Sequence, residues 1–130
     1  MFIDTSVVVA ILSGEDDAAE WAGRIDEVSI RVTSALVVLE AAMRLSTKLA
    51  IEPIEVGATI EAFLAEAEID VIPIEARDGK LAVQAFADYG KGRGHPAQLN
   101  LADCLSYACA KNRDMRLLYK GNDFTQTDLG

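Results

Sequence analysis

Four short apolar runs alternate with longer stretches whose apolar residues recur at helical spacing. The runs are Met1-Phe2-Ile3 up to Asp4, Arg31-Val32-Thr33, Val71-Ile72-Pro73-Ile74, and Arg116–Tyr119. Strands separated by helices imply a sheet that is mainly parallel, with helices on its faces. The fold class expected is therefore α/β, with about four or five strands. The predicted helices run from Thr5 or Ser6, one of which caps the first, to about Leu12, where Ser13-Gly14 ends it. The others cover Asp16–Ile25, Ala35–Leu49 behind a Ser34 cap, Ile54–Glu68 opened by Pro53, Glu75–Tyr89 and Asn100–Asn112. Tyr89–Pro96 reads as a Gly-rich loop carrying Lys91, Arg93 and His95.

The chain has 130 residues, which suits one domain, 1–130, with a real core. Apolar residues make up 51%, which excludes a disordered protein, yet only 6% are aromatic. Ala, Val, Leu and Ile must then fill the core, which favours helices on a sheet over a β-sandwich. The net charge of −9 excludes a general nucleic-acid coat, because such affinity comes from neutralising phosphates. It leaves room for a local site where bound cations meet phosphate, and it suits a basic protein partner. Cys104 and Cys109 lack further Cys or His ligands and read as buried thiols in a reducing compartment. The opening has no basic region before its apolar run, and no apolar run nears a membrane span. A cytoplasmic protein without a membrane partner is expected.

Four acids stand in or beside apolar runs: Asp4, Glu40 in Val37–Ala42, Asp103 in Asn100–Asp103, and Asp123 in Lys120–Phe124. A carboxylate among apolar groups is costly to desolvate without a partner. The sheet reading puts Asp4 and Asp123 at carboxyl ends of strands, and Asp103 and Glu40 in early helix turns at the same edge. Open α/β sheets bind ligands there. Gathered carboxylates favour Mg²⁺ or Mn²⁺ over softer ions.

Each acid also has a plainer reading. Asp4 is a possible N-cap, Glu40 a surface partner of Arg44, Asp103 the third helical residue of a capping arrangement with Asn100, and Asp123 a turn former. Asn122 competes with Asp123 for the fourth position. Ser6, Asn100 and Asn122 are expected to support the carboxylates. Glu15, Asp16, Asp17, Glu66 and Glu68 read as solvated faces. His95 reads as a loop residue rather than a base, and Lys91 and Arg93 as phosphate contacts on an otherwise acidic chain.

Asp4-Thr5-Ser6, Glu40, Asn100-Leu101-Ala102-Asp103-Cys104 and Leu117–Phe124 with Thr127-Asp128 together resemble the PIN-domain family, over residues 1 to about 129. More narrowly, they resemble the VapC toxins of bacterial type II toxin–antitoxin modules. The resemblance implies a PIN-like fold and a Mg²⁺- or Mn²⁺-dependent endoribonuclease cleaving RNA phosphodiester bonds. It also implies a homodimer and neutralisation by a VapB-like antitoxin. Family roles fall on Asp4, Glu40 and Asp103, and on Asp123 or its neighbour. Two rivals are an aspartyl-phosphate phosphatase using Asp4, for which Ser6 stands where a second Asp is usual, and a non-catalytic acidic regulator. The apolar stripes of Asp16–Ile25 and Ile54–Glu68, on a chain of mean hydropathy +0.18, are expected to form interfaces.

Overall fold

The computed structural model describes residues 1–130. The elements follow the expected order: β1 (Phe2–Ile3), α1 (Thr5–Leu12), α2 (Ala18–Asp26), β2 (Val32–Ser34), α3 (Ala35–Leu49), α4 (Pro53–Glu66), β3 (Asp70–Ile72), α5 (Ala76–Tyr89), α6 (Leu101–Asn112) and β4 (Leu117–Leu118). All strand pairs are parallel and the sheet order is β3-β2-β1-β4. The first strand of the chain is thus interior, with Phe2 opposite both Val32 and Leu117.

β1, β3 and β4 are shorter than their apolar runs, and β2 is its run shifted by one residue. β3 stops at Ile72 because Pro73 has no N–H to give a neighbour. β1 stops at Ile3 because Asp4 turns into α1. Phe2, Ile3, Val7, Val8, Leu99, Cys109 and Phe124 have no exposed surface, so the core forms where the sheet meets its helices. Thr33 Oγ1 donates to Ile3 O at 2.8 Å and stitches β2 to β1 inside that core. Ser34 caps α3 as expected, accepting from Val37 N–H at 3.3 Å.

The Ile54–Glu68 stripe packs into the core instead of standing free for a partner. Val56, Ile60 and Leu64 are buried, leaving Ile54 as the exposed member at 87%. In α2 only Ile25 is buried, with Trp21 and Ala22 partly covered. Both cysteines are buried free thiols. No helix is long and apolar enough to cross a membrane.

Candidate active site

Asp4 leaves β1 in extended conformation, and its N–H donates to Leu118 O at 3.0 Å. It is itself the N-cap of α1, a position expected for Thr5 or Ser6. Its Oδ2 accepts from Ser6 N–H at 3.1 Å and from Ser6 Oγ–H at 2.6 Å. Capping and a site role are compatible, because both donors go to one oxygen. Asp4 is 5% exposed, and burial drives its pKa above the usual carboxylate range. The two Ser6 hydrogen bonds oppose that rise, and the charge of Glu40 adds to it.

Asp103 is the third residue of α6, and its plainer reading holds as well. Asp103 N–H donates to Asn100 Oδ1 at 2.8 Å, and Asn100 N–H donates to Asp103 Oδ2 at 3.1 Å. Asp103 is 7% exposed and its pKa is pushed up to about 7. Burial is the main cause, the Asn100 hydrogen bond opposes it, and the charges of Asp123, Asp4 and Glu40 add to it. Asp103 therefore feels the charges of the other three acids.

Glu40 is half-buried in the second turn of α3. It makes no ion pair with Arg44, since the ion pairs of the fold all lie elsewhere. Asp123 and Asn122 are exposed in the segment after β4. The Asn122 carbonyl accepts from Thr125 N–H and Thr125 Oγ1, at 3.2 and 2.8 Å. No group of three His, Cys, Asp or Glu side chains is close enough to hold one metal ion. The carboxylates share an edge without forming a closed ligand shell.

Two acids expected on a solvated face are structural. Lys120 Nζ donates to Glu15 Oε1 at 2.5 Å and to Asp17 Oδ1 at 2.9 Å. The same residue's N–H donates to Ser6 Oγ at 2.9 Å. A separation of 114 residues hides that last bond from any local reading of the chain. A buried ion pair is equally invisible there. Asp78, with no exposed surface, accepts from Arg113 Nη1 at 2.8 Å and Nη2 at 3.0 Å, and from Asn112 Nδ2 at 2.9 Å. The Arg113 guanidinium holds the Asp78 carboxyl well below the usual range. Its one signal in the sequence is an acid in the first turn of a helix.

The basic loop is pinned at its base. Lys91 N–H donates to Leu99 O and Leu99 N–H to Tyr89 O, both at 2.9 Å. Gly92 and Gly94 take φ of 80° and 79°, so the turn between uses the conformations glycine allows. His95 is structural, its Nδ1 accepting from Ala97 N–H at 3.0 Å while its ring stands edge-on to Tyr89. Lys91 and Arg93 are exposed, and the Arg93 guanidinium lies 5.8 Å from the Phe86 ring centre. Beside them a groove of about 540 Å³ runs between α5 and α6. Val83, Phe86 and Leu101 on its walls are 69%, 46% and 73% exposed. Part of the exposed apolar surface thus lies on α5 and α6, next to Asn100.

A family model described as the PIN domain matches residues 1–129. The ribonuclease VapC28 of Mycobacterium tuberculosis is 43% identical over 129 residues, covering 99% of this chain and 95% of that protein. A VapC ribonuclease of Rhizobium meliloti is 39% identical over 141 residues, covering 99% of both. Among solved structures, the sarcin-ricin loop cleaving toxin VapC20 of M. tuberculosis superposes with a TM-score of 0.72. The match covers 95% of this chain and 92% of that one at 16% identity, a likeness of fold. A whole-chain family match, relatives far above chance identity and a four-stranded parallel sheet flanked by six helices agree: the chain belongs to the PIN-domain family, with VapC ribonucleases among its relatives.

Proposed function

We propose that this protein is a Mg²⁺- or Mn²⁺-dependent endoribonuclease toxin of the VapC type. The observation that carries the reading is the pairing of Asp4 and Asp103. Both are more than nine-tenths buried, both are raised in pKa, and neither has a cationic side-chain partner. Such a donor set fits a hard divalent cation, which keeps several waters and needs few protein ligands. Asp4 and Asp103, with Glu40 and Asp123, would hold the ion. When bound it supplies Lewis acidity and a more acidic water.

The chain's own residues do the remaining work. Ser6 favours the charged form of Asp4 against its burial by donating twice to Oδ2. Asn100 fixes Asp103 through the reciprocal cap. Lys91 and Arg93 present cations to the RNA backbone from a loop anchored beside the α6 start, where the acidic body would otherwise repel phosphate. His95 is committed to its own loop and supplies no base.

Two partners belong to the same reading. A second copy would pack its α5–α6 face on this one, covering Val83, Phe86 and Leu101. A VapB-like antitoxin would neutralise the toxin, with a basic residue reaching the carboxylates. The cytoplasm, where RNA and antitoxin meet, is the expected compartment. The deciding experiment incubates purified protein with cellular RNA, with and without Mn²⁺, and maps the cut ends. Cleavage that needs the metal and disappears in Asp4→Asn supports the proposal. A folded wild-type protein that leaves RNA intact with Mn²⁺ present would overturn it in favour of a non-catalytic regulator.

A further inference from the structure

The stretch just after β4, Tyr119 to Asp123, hangs by its backbone on one residue. From Tyr119 to Asp123, the only backbone N–H with a hydrogen-bond partner is that of Lys120, and the partner is Ser6 Oγ at 2.9 Å. Leu118 is still tied to Asp4, and Phe124 is tied by its fully buried ring, edge-on to Tyr119. Between them Gly121 turns the chain at a φ of 100°. Asn122 and Asp123 follow that turn, so their placement depends on how Lys120 is anchored.

The bond to Ser6 also decides where a proton points. A serine hydroxyl has one hydrogen. With Lys120 N–H filling an acceptor position on Oγ, that hydrogen goes to Asp4 Oδ2 at 2.6 Å. The side chain of Lys120 provides the anchor. Its ammonium lies between Glu15 Oε1 and Asp17 Oδ1, at 2.5 and 2.9 Å. Both carboxylates are themselves braced. Lys48 reaches Glu15 Oε2 at 3.4 Å, and the Trp21 indole donates to Asp17 Oδ2 at 2.9 Å. These acids sit in the α1–α2 connection.

We propose that Lys120 is a positioning residue: clamped by Glu15 and Asp17, it locks the post-β4 backbone onto α1, directs the Ser6 hydroxyl to Asp4 and sets the place of Asp123. The inference rests on the nuclease reading for its functional consequence. It distinguishes Lys120 from a phosphate contact, because its charge is already taken by two carboxylates. It also distinguishes Lys120 from a stability residue. The three side chains are each about one-third exposed, and partly exposed ion pairs contribute little to folding.

The test compares wild type, Lys120→Met, Lys120→Arg and the double variant Glu15→Gln/Asp17→Asn. Amide hydrogen exchange at residue 120, Mn²⁺ binding, and kcat and KM on RNA are measured on each. Lys120→Met and the acid double variant should each speed exchange at residue 120 about tenfold. Each should weaken Mn²⁺ binding and lower kcat by about tenfold, with KM and Tm little changed. Lys120→Arg, which can still span the two acids, should restore most of this. Unchanged exchange in both variants would overturn the proposal. So would a rise in KM at constant kcat in Lys120→Met with the acid double variant neutral, the pattern of an RNA contact. A wild type that neither cleaves RNA nor binds Mn²⁺ defeats the nuclease reading instead, and the exchange measurement still decides the clamp.

Discussion

Asn100 and Asp103 cap each other's backbone N–H groups, so the residue proposed to hold the metal also starts the helix that carries it. Asp103→Asn should keep the cap, since an amide oxygen can accept the same bond. It removes the charge that Asp123, Asp4 and Glu40 oppose. Asp103 has a folded pKa of about 7 against 3.8 unfolded, so ionising it costs stability. That cost is absent below about pH 4 and complete above about pH 7. In EDTA at pH 8, Asp103→Asn should raise Tm by roughly 5 °C, and at pH 4 the two proteins should melt together. RNA cleavage should be lost. Full cleavage by the folded variant would remove Asp103 from the site.

The Asp78–Arg113 pair predicts the opposite pH behaviour at a place away from the chemistry. Arg113→Met leaves a carboxylate buried without its partner and should cost about 3–5 kcal/mol. The depressed pKa of Asp78 means its stabilisation is present above the unfolded value of 3.8 and lost as the pH falls through the folded value. Denaturant curves should therefore show the gap between wild type and Arg113→Met narrowing in acid. A constant gap from pH 7 to pH 3 would show that the pair is not what the substitution removes.

Lys91 and Arg93 stand on the loop that precedes α6, exposed and free of ion pairs. Replacing both with Ala should raise KM several-fold while kcat stays within about twofold, as expected for binding shared by ground and transition states. The slope of log affinity against log salt should flatten by about 0.7 for each single-strand phosphate no longer neutralised. An unchanged slope would make them solvated residues.

The α5–α6 groove predicts an assembly. Light scattering should show a dimer for wild type and a monomer for Val83→Glu, because Val83 is 69% exposed on the groove wall and a charge there opposes burial. Co-expression with the neighbouring upstream reading frame should relieve growth arrest and give a stable complex. A wild type that stays monomeric and binds no product of that frame would defeat both partner proposals.

The order of elements is legible in the chain because the local signals are strong. Pro53, Ser34 and Asn100 start helices by chemistry that acts within a few residues, and the apolar runs leave few places for strands. The same chemistry puts Asp4 and Asp123 past the carboxyl ends of β1 and β4, since a residue following a parallel strand must emerge there. It could not choose between capping and site roles for Asp4 and Asp103. The choice was false, because a carboxylate can cap with one oxygen and face the site with the other. Tertiary structure alone decided the rest. It buried the α4 stripe and exposed α5 instead, because amphipathic periodicity says that a helix has an apolar face but not what covers it. It joined Lys120 to Ser6, to Glu15 and to Asp17, and Arg113 to Asp78, across 35 to 114 residues of chain. Ion pairs and hydrogen bonds at such separations depend on where the fold brings two groups, and no local pattern in the chain encodes that.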